Sequence, residues 1–478
     1  MNYNMIFYVL GLVFNFEALF MLIPAGVGIF YGERHFFAFF ASSLICFAFG
    51  LLFTFKKPLK ESIYSKECFV IVALSWFFLS IFGSLPFILS GSINSFIDAF
   101  FESASGFTTT GASIINNVEI LPKCILFWRT FTHWIGGMGV LVFLLAFLPI
   151  SGGGNIYLMK AESTGPSVGK LVPRLKTTAG ILYLLYFLLT TFEFIALKIG
   201  GLNWFEAITA AFGTAGTGGF GIKNSSIAAF PPRIQVIITI FMILFGINFN
   251  IYYMIICRKF KSIFKSSEFR CYIAIIIVSI TIIAVNIYHI YGNILYVLNL
   301  SAFQVGSIIT TTGYSTCDFT QWPMVSQTVL VLLMFVGACA GSTGGGIKVS
   351  RFIILFKTIV KELRVIINPK TVKHIKFDGE PVQHEVVRSL NVYMMLYIIF
   401  FAFSVFIISF DNFDFTTNFT AIAATLNNIG PGLSIVGPSG NFATFSSISK
   451  VVMIFDMIAG RLELFPVFVL FLPSTWKK

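Results

Sequence analysis

The sequence predicts an all-α polytopic membrane protein, with an N-terminal helix pair and four helix–pore loop–helix repeats around one pore. Three observations carry that prediction. Of 478 residues, 57% are hydrophobic and only 11% charged, against about 25% charged in a soluble domain; mean hydropathy is +0.89. Basic residues gather in short stretches between apolar segments, 23 of 32 of them in five places. From residue 68 onward one pattern recurs four times: an apolar helix, a shorter segment ending in a glycine turn, and a second apolar helix.

Residues 5–30 and 36–55 are apolar runs separated by Tyr31-Gly32-Glu33-Arg34-His35. Each has the roughly 20 residues that a bilayer-spanning helix needs. The first has no basic stretch before it and no small-residue cleavage site, so it reads as a retained membrane helix. The basic clusters are 56–67, 151–178, 258–270, 351–388 and the C-terminus, holding four, four, five, eight and two Lys or Arg. Short positive loops stay in the cytoplasm, which places both termini inside. A net charge of +12 spread this way points to membrane lipid headgroups or a cytosolic protein as partners, and not to nucleic acid.

The chain divides into a two-helix domain at 1–67 and pore repeats at 68–178, 179–270, 271–388 and 389–478. Within the repeats, the middle segments 94–111, 203–218, 296–313 and 414–430 are too short and too polar at their ends to span. They read as re-entrant half-helices, which are tolerated at membrane depth only against protein or a cavity.

The ends of these segments are small, hydroxyl-rich and glycine-centred. They comprise Thr109-Thr110-Gly111, Thr217-Gly218, Thr311-Thr312-Gly313 and Asn428-Ile429-Gly430, with the glycines 107, 95 and 117 residues apart. A potassium-channel filter is a Thr-Val-Gly-Tyr-Gly loop whose backbone carbonyls replace the ion's water. Thr311-Thr312-Gly313-Tyr314 follows that pattern with Thr for Val and Ser315 for the last Gly. Four such loops on one axis make a K+-channel-like ring of carbonyls. Glycine permits the positive φ such a backbone visits, and the half-helix C-termini favour a cation.

Two glycine-rich strings imitate nucleotide motifs. Gly216 to Gly221 fits G-x-G-x-x-G but lacks the strand before it and the acid after it. In Gly341-Ser342-Thr343-Gly344-Gly345-Gly346-Ile347-Lys348 the lysine comes one position late, with no hydroxyl residue behind it. The latter string still matters. It interrupts the second helix of the third repeat, and no comparable run interrupts the others. Glycine costs a helix about 1 kcal/mol each, so the run unwinds, either as a flexible plug beneath the filter or as a close-packing site between helices.

Arg461 lies within an apolar helix, where a charge costs roughly 3 kcal/mol. Neither Asp456 nor Glu463 shares its face, so it should face the pore or a partner as a positive barrier below the filter. Asp98, Glu102, Glu206 and Asp414 either concentrate cations at the mouth or cap the half-helices. The seven cysteines are scattered and read as packing residues. No nucleophile–base pairing is visible, so an enzyme is not expected.

Longer strings resemble a known family. They are Phe100-Phe101-Glu102-Ser103, Thr108-Thr109-Thr110-Gly111-Ala112, Trp134-Ile135-Gly136-Gly137-Met138-Gly139, the run from Cys339 to Lys348, Leu426-Asn427-Asn428-Ile429-Gly430-Pro431-Gly432-Leu433 and Gly460-Arg461-Leu462-Glu463. They resemble the membrane subunits of bacterial Trk potassium-uptake systems, the TrkH family, in the superfamily that also holds KtrB. The extra N-terminal pair is like TrkH and unlike KtrB. The resemblance implies K+ as the transported ion, no bound organic cofactor, and filter glycines at 111, 218, 313 and 430. It implies a gate built from Gly341, Gly344, Gly345, Gly346 and Lys348 beside Arg461. It also implies a homodimer in the bacterial inner membrane, docked on a cytosolic TrkA-like nucleotide-binding ring. The second and fourth loops depart from Thr-x-Gly-Tyr, so selectivity weaker than a true potassium channel's is expected. The alternative is a secondary transporter of another substrate or a Na+-coupled cation transporter, and the sequence leaves the coupling of flux open.

Overall fold

The structure is a computed structural model that describes residues 1–56, 58, 64–139, 175–369 and 374–476. Most of the expected basic loops at 56–67 and 151–178, the end of the helix at 124–150, and the C-terminal lysines fall outside the described residues. Six described helices are long and apolar enough to cross a membrane, seven if one bent pair counts as a span.

α1 (Tyr3–Phe30) and α2 (Phe36–Thr54) form the N-terminal antiparallel pair. α3 (Ser65–Phe82) continues into the short α4 (Leu85–Leu89), then α5 (Phe96–Phe107) and α6 (Lys123–Met138). α7 (Leu175–Ile199) leads to α8 (Trp204–Ala215), and then to the bent pair α9 (Pro232–Phe245) and α10 (Phe249–Ile256). The short α11 (Phe260–Lys265) precedes α12 (Ser267–Tyr291), α13 (Ile294–Ile309), α14 (Met324–Phe335) and α15 (Val349–Ile367). A two-residue hairpin, Lys376–Phe377 with Glu380–Pro381, separates these from α16 (His384–Ile408), α17 (Phe415–Leu426), α18 (Ser447–Arg461) and α19 (Phe465–Val469).

α5, α8, α13 and α17 are the half-helices. Three have 12 residues and α13 has 16; 12 residues rise about 18 Å, well short of a bilayer. Each starts on a side-chain cap. Ser95, Asn203, Asn293 and Asp414 accept from backbone N–H groups of the first turn. Glu206 completes a capping box with Asn203, and Asp414 is itself a cap, so two of the four acidic candidates hold helices in place. Asp98 instead pairs with Lys450 at 2.7 Å. Glu102 is fully buried and paired with Arg129.

The half-helices are the most buried part of the fold, and apolar outer helices surround them. Residues such as Leu44, Val285 and Met395 are more than two-thirds exposed, as lipid-facing positions are. Packing contacts run around a closed cycle: α6 lies on α8, α9 on α13, α14 on α17, and α18 on α5. The last contact joins the last half-helix unit to the first and makes the arrangement a ring.

Helix breaks are more widespread than the glycine run predicts. α9 and α10 meet at 90°, because Gly246 ends one helix and Asn248 caps the next by accepting from Asn250 N at 2.9 Å. α18 stops at Arg461, where Glu463 and Leu464 take φ of 56° and 67°. Gly139 ends α6 with φ 81°. A single glycine followed by a capping residue suffices to break a helix, and a search for glycine runs passes over it. Cys46, Cys124 and Cys339 are buried as expected of packing residues, but Cys257 at the end of α10 is exposed.

Candidate functional site: a four-loop ring and the segment beneath it

All four half-helices end in the same hydrogen-bonded turn. In the first, Thr109 N donates to Gly106 O and Thr110 N to Ser105 O; in the third, Thr311 N donates to Ile308 O and Thr312 N to Ser307 O. The second and fourth repeat this through Thr217 and Gly218, and through Asn428 and Ile429. This is the Schellman ending, whose left-handed residue is usually glycine. Here it is Thr109, Thr217, Thr311 and Asn428, with φ of 55°, 54°, 57° and 55°. A side chain in that conformation costs of order 1–3 kcal/mol, and the cost recurs at each of the four positions.

The shared turn fixes the register of the loops. Two residues beyond each left-handed residue comes a glycine of positive φ: Gly111, Gly219, Gly313 and Gly430, at 81°, 76°, 80° and 100°. The second loop therefore presents Gly219, one residue past the Gly218 that spacing suggests, while Gly218 matches Thr110, Thr312 and Ile429. A Cβ on Gly111 would overlap Gly218 O, on Gly219 Thr312 O, and on Gly313 Ile429 O; on Gly430 it would press on Thr110 O. Each glycine is thus packed on the preceding-residue carbonyl of the next loop, and the fourth loop returns to the first. The four glycines line one outer cavity of about 190 Å³, together with Arg129 and the 437–442 loop.

Beneath the ring, the chain between α14 and α15 folds into a knot of hydrogen bonds. Val336 bridges Ile347, Cys339 N donates to Gly246 O at 3.0 Å, and Phe249 N to Gly341 O at 3.0 Å. Gly345 N donates to Thr311 Oγ1 at 2.7 Å. A Cβ on Gly344 would overlap Ala338 Cβ and press on Thr310 O, and one on Gly345 would overlap Asn427 O. Gly346 takes φ 67°. Gly341 also has φ 67° but sits against Asn248, away from the ring. Lys348, buried, turns back to donate to Gly344 O and to Gly345 O.

The Arg461 guanidinium is tied on three sides. It donates to Thr109 Oγ1 at 3.1 Å, to Thr343 O at 2.9 Å, and to Gly136 O and Gly137 O. It joins the first loop, α6 and the glycine-rich segment, so it works as a tie in addition to any barrier its charge presents. Glu463 pairs with Arg351 and not with Arg461.

Several site residues carry no signal in the sequence. Glu268, at the start of α12, accepts from Ala340 N at 2.8 Å and Ser350 N at 3.1 Å, so one carboxylate clasps both ends of the glycine-rich segment. Arg129 donates to Glu102 at 2.8 Å and to Gly221 O at 3.2 Å, linking the first and second loops. His133 lies behind the second loop. Only the Gly-Gly pair at 218–219 hints that something else fills that space.

Residues 35–478 match the pattern of the TrkH family, described as cation transport proteins. The chain belongs to that family. It is 36% identical to the Trk system potassium uptake protein TrkH of Escherichia coli K12, over the full length of both. It is 34% identical to the TrkH of Vibrio parahaemolyticus over the full length of both, and to the E. coli TrkG over 96% of each chain. Its fold matches the crystal structure of the potassium transporter TrkH from V. parahaemolyticus with a TM-score of 0.90 at 32% identity, covering all of both chains. The family is one of transporters and not of enzymes.

Proposed function

We propose that this chain carries potassium ions across the bacterial inner membrane through a four-loop selectivity filter. The relatives are named for potassium uptake. The observation that carries the reading is the closed ring of four identically turned loops. Each turns at a residue of left-handed φ and presents a glycine to one cavity. The filter would comprise Thr109 to Gly111, Thr217 to Gly219, Thr311 to Gly313 and Asn428 to Gly430. The negative ends of four half-helices converge on it, a field that favours a cation. The repeat divisions at 68–178, 179–270, 271–388 and 389–478 follow from the same recurrence.

The segment of Gly341, Gly344, Gly345, Gly346 and Lys348 is the gate, held under the filter by Thr311 and by Arg461 through Thr343. A homodimer on a cytosolic TrkA-like regulatory ring, both termini cytoplasmic, completes the reading. For a displacement of the gate, the bonds from Gly345 and Arg461 must break together. Flux into proteoliposomes under K+ and then Na+ gradients tests it. K+ flux above Na+ flux, rising several-fold in Arg461→Ala, is expected. Equal K+ and Na+ flux rejects the filter, and an Arg461→Ala rate no higher than wild type rejects the gate.

A further inference from the structure

We infer that His133 completes the second filter loop, standing from a neighbouring helix where the first and third loops use their own threonines. The inference rests on the filter reading above and adds to it a selectivity-positioning residue outside the four loops.

The first and third loops brace themselves. Thr108 Oγ1 meets Thr110 Oγ1 at 2.8 Å, and Thr310 Oγ1 meets Thr312 Oγ1 at 2.8 Å. In the second loop the corresponding residues are Gly216 and Gly218, and no such brace exists. The space is filled by α6. A Cβ on Gly218 would fall inside the His133 ring, and one on Gly216 would strike the His133 backbone carbonyl. The imidazole is fully buried. Its Nδ1 lies 2.7 Å from Gly106 O, and its Nε2 lies 3.2 Å from Phe220 N.

A carbonyl only accepts and an amide N–H only donates, so Nδ1 carries the proton and Nε2 accepts. The ring also packs on Phe220, centroids 4.3 Å apart. One neutral histidine therefore ties the C-terminal turn of the first half-helix to the chain just past Gly219. It sets the spacing of two adjacent loops at the level of the filter glycines. The missing side chains at 216 and 218 and the presence of His133 are one adaptation.

The experiment compares K+ and Na+ uptake into proteoliposomes for His133→Ala, His133→Gln, Gly218→Ser and His133→Ala/Gly218→Ser, with Gly313→Ala as reference. Size-exclusion profiles check folding. His133→Ala should lower the K+/Na+ uptake ratio about tenfold, as loss of a buried contact network does. His133→Gln keeps one donor and one acceptor and should lose about threefold or less. Gly218→Ser alone should be defective by overlap. The double variant should exceed the product of the two single effects by at least about threefold, the sign of residues sharing one space.

A His133→Ala ratio within about twofold of wild type, with Gly313→Ala defective, overturns the inference and leaves the filter reading standing. So does a double variant no better than that product. An unchanged ratio in Gly313→Ala instead removes the filter reading itself. If His133→Ala does not fold, a folded double variant whose K+/Na+ ratio exceeds that of Gly218→Ser alone supports the inference, and a double variant that stays unfolded or no better than Gly218→Ser overturns it.

Discussion

Gly313 shows how tightly single residues are constrained at the ring. Its φ of 80° and the Ile429 carbonyl against its Cα leave no room for a methyl group. Gly313→Ala adds both backbone strain, about 1–2 kcal/mol, and overlap with the fourth loop. The expected result is a K+/Na+ flux ratio reduced by about tenfold or more, since 1.4 kcal/mol is a factor of ten; an unchanged ratio in a flux assay refutes the role of this glycine. Three of the four ring glycines were legible in the sequence as the residues after Thr-Thr or Asn-Ile. The fourth was displaced by one because Gly218 and Gly219 look alike in a string. What separates them is a histidine ring brought in from 85 positions upstream. The left-handed threonines were illegible for a related reason. Threonine is an unfavourable residue for that conformation, and only the ring of neighbours holds it there.

Glu268 belongs to the scale of the element. The glycine-rich segment has little helical or strand propensity of its own, so its shape depends on outside partners. Glu268 supplies two at once, Ala340 N and Ser350 N, the two ends of the segment. The start of α12 is itself fixed from the hairpin, where Asp378 accepts from Ser267 N at 2.6 Å. The surface hairpin is thereby connected to the segment through two carboxylates. Glu268→Gln weakens two bonds to a charged acceptor, each worth about 1.5–3 kcal/mol. It should raise K+ flux measured without any cytosolic partner, with the K+/Na+ ratio unchanged. A fall in that ratio at constant flux places Glu268 in the filter's support instead.

The caps of the half-helices act at the same scale. Asp414 is exposed and accepts from the Thr417 hydroxyl and N–H, which hold its carboxyl below the usual range. A depressed carboxyl stabilises the fold while ionised and loses that contribution as pH falls through its folded value. Thermal stability should therefore fall toward acid, and Asp414→Asn should flatten that slope; an unchanged slope denies the cap this role. Half-helix position was legible because apolar length and polar ends are local properties, whereas the number of unbroken spanning helices was not, since only six described helices, or seven with the bent pair, are long enough to cross. The bend at Gly246 and the stop at Arg461 were not legible either, because each rests on one glycine or one pair of left-handed residues.

At the scale of the whole molecule, the ring must be closed between the first and last units, and no covalent link does it. Closure depends on α18 packing against α5, on Asn428 Nδ2 donating to Thr110 Oγ1 at 3.0 Å, and on the Lys450–Asp98 pair at 2.7 Å. Lys450 is nearly buried and Asp98 about a quarter exposed, so the pair is shielded from solvent on one side only. Removing the carboxylate leaves an ammonium with its main partner gone, which costs more than the pair itself contributes. Asp98→Ala should lower stability by about 1–3 kcal/mol. The joint Asp98→Ala/Lys450→Met variant should recover most of that loss, because no uncompensated charge remains. Thermal unfolding in detergent with the two single variants and the double completes the cycle. Additive losses would mean that the closure is carried by α18–α5 packing and the Asn428 and Arg461 hydrogen bonds, without the ion pair. Recovery would mean that an electrostatic clasp holds α18 against α5, where the last unit of the ring meets the first.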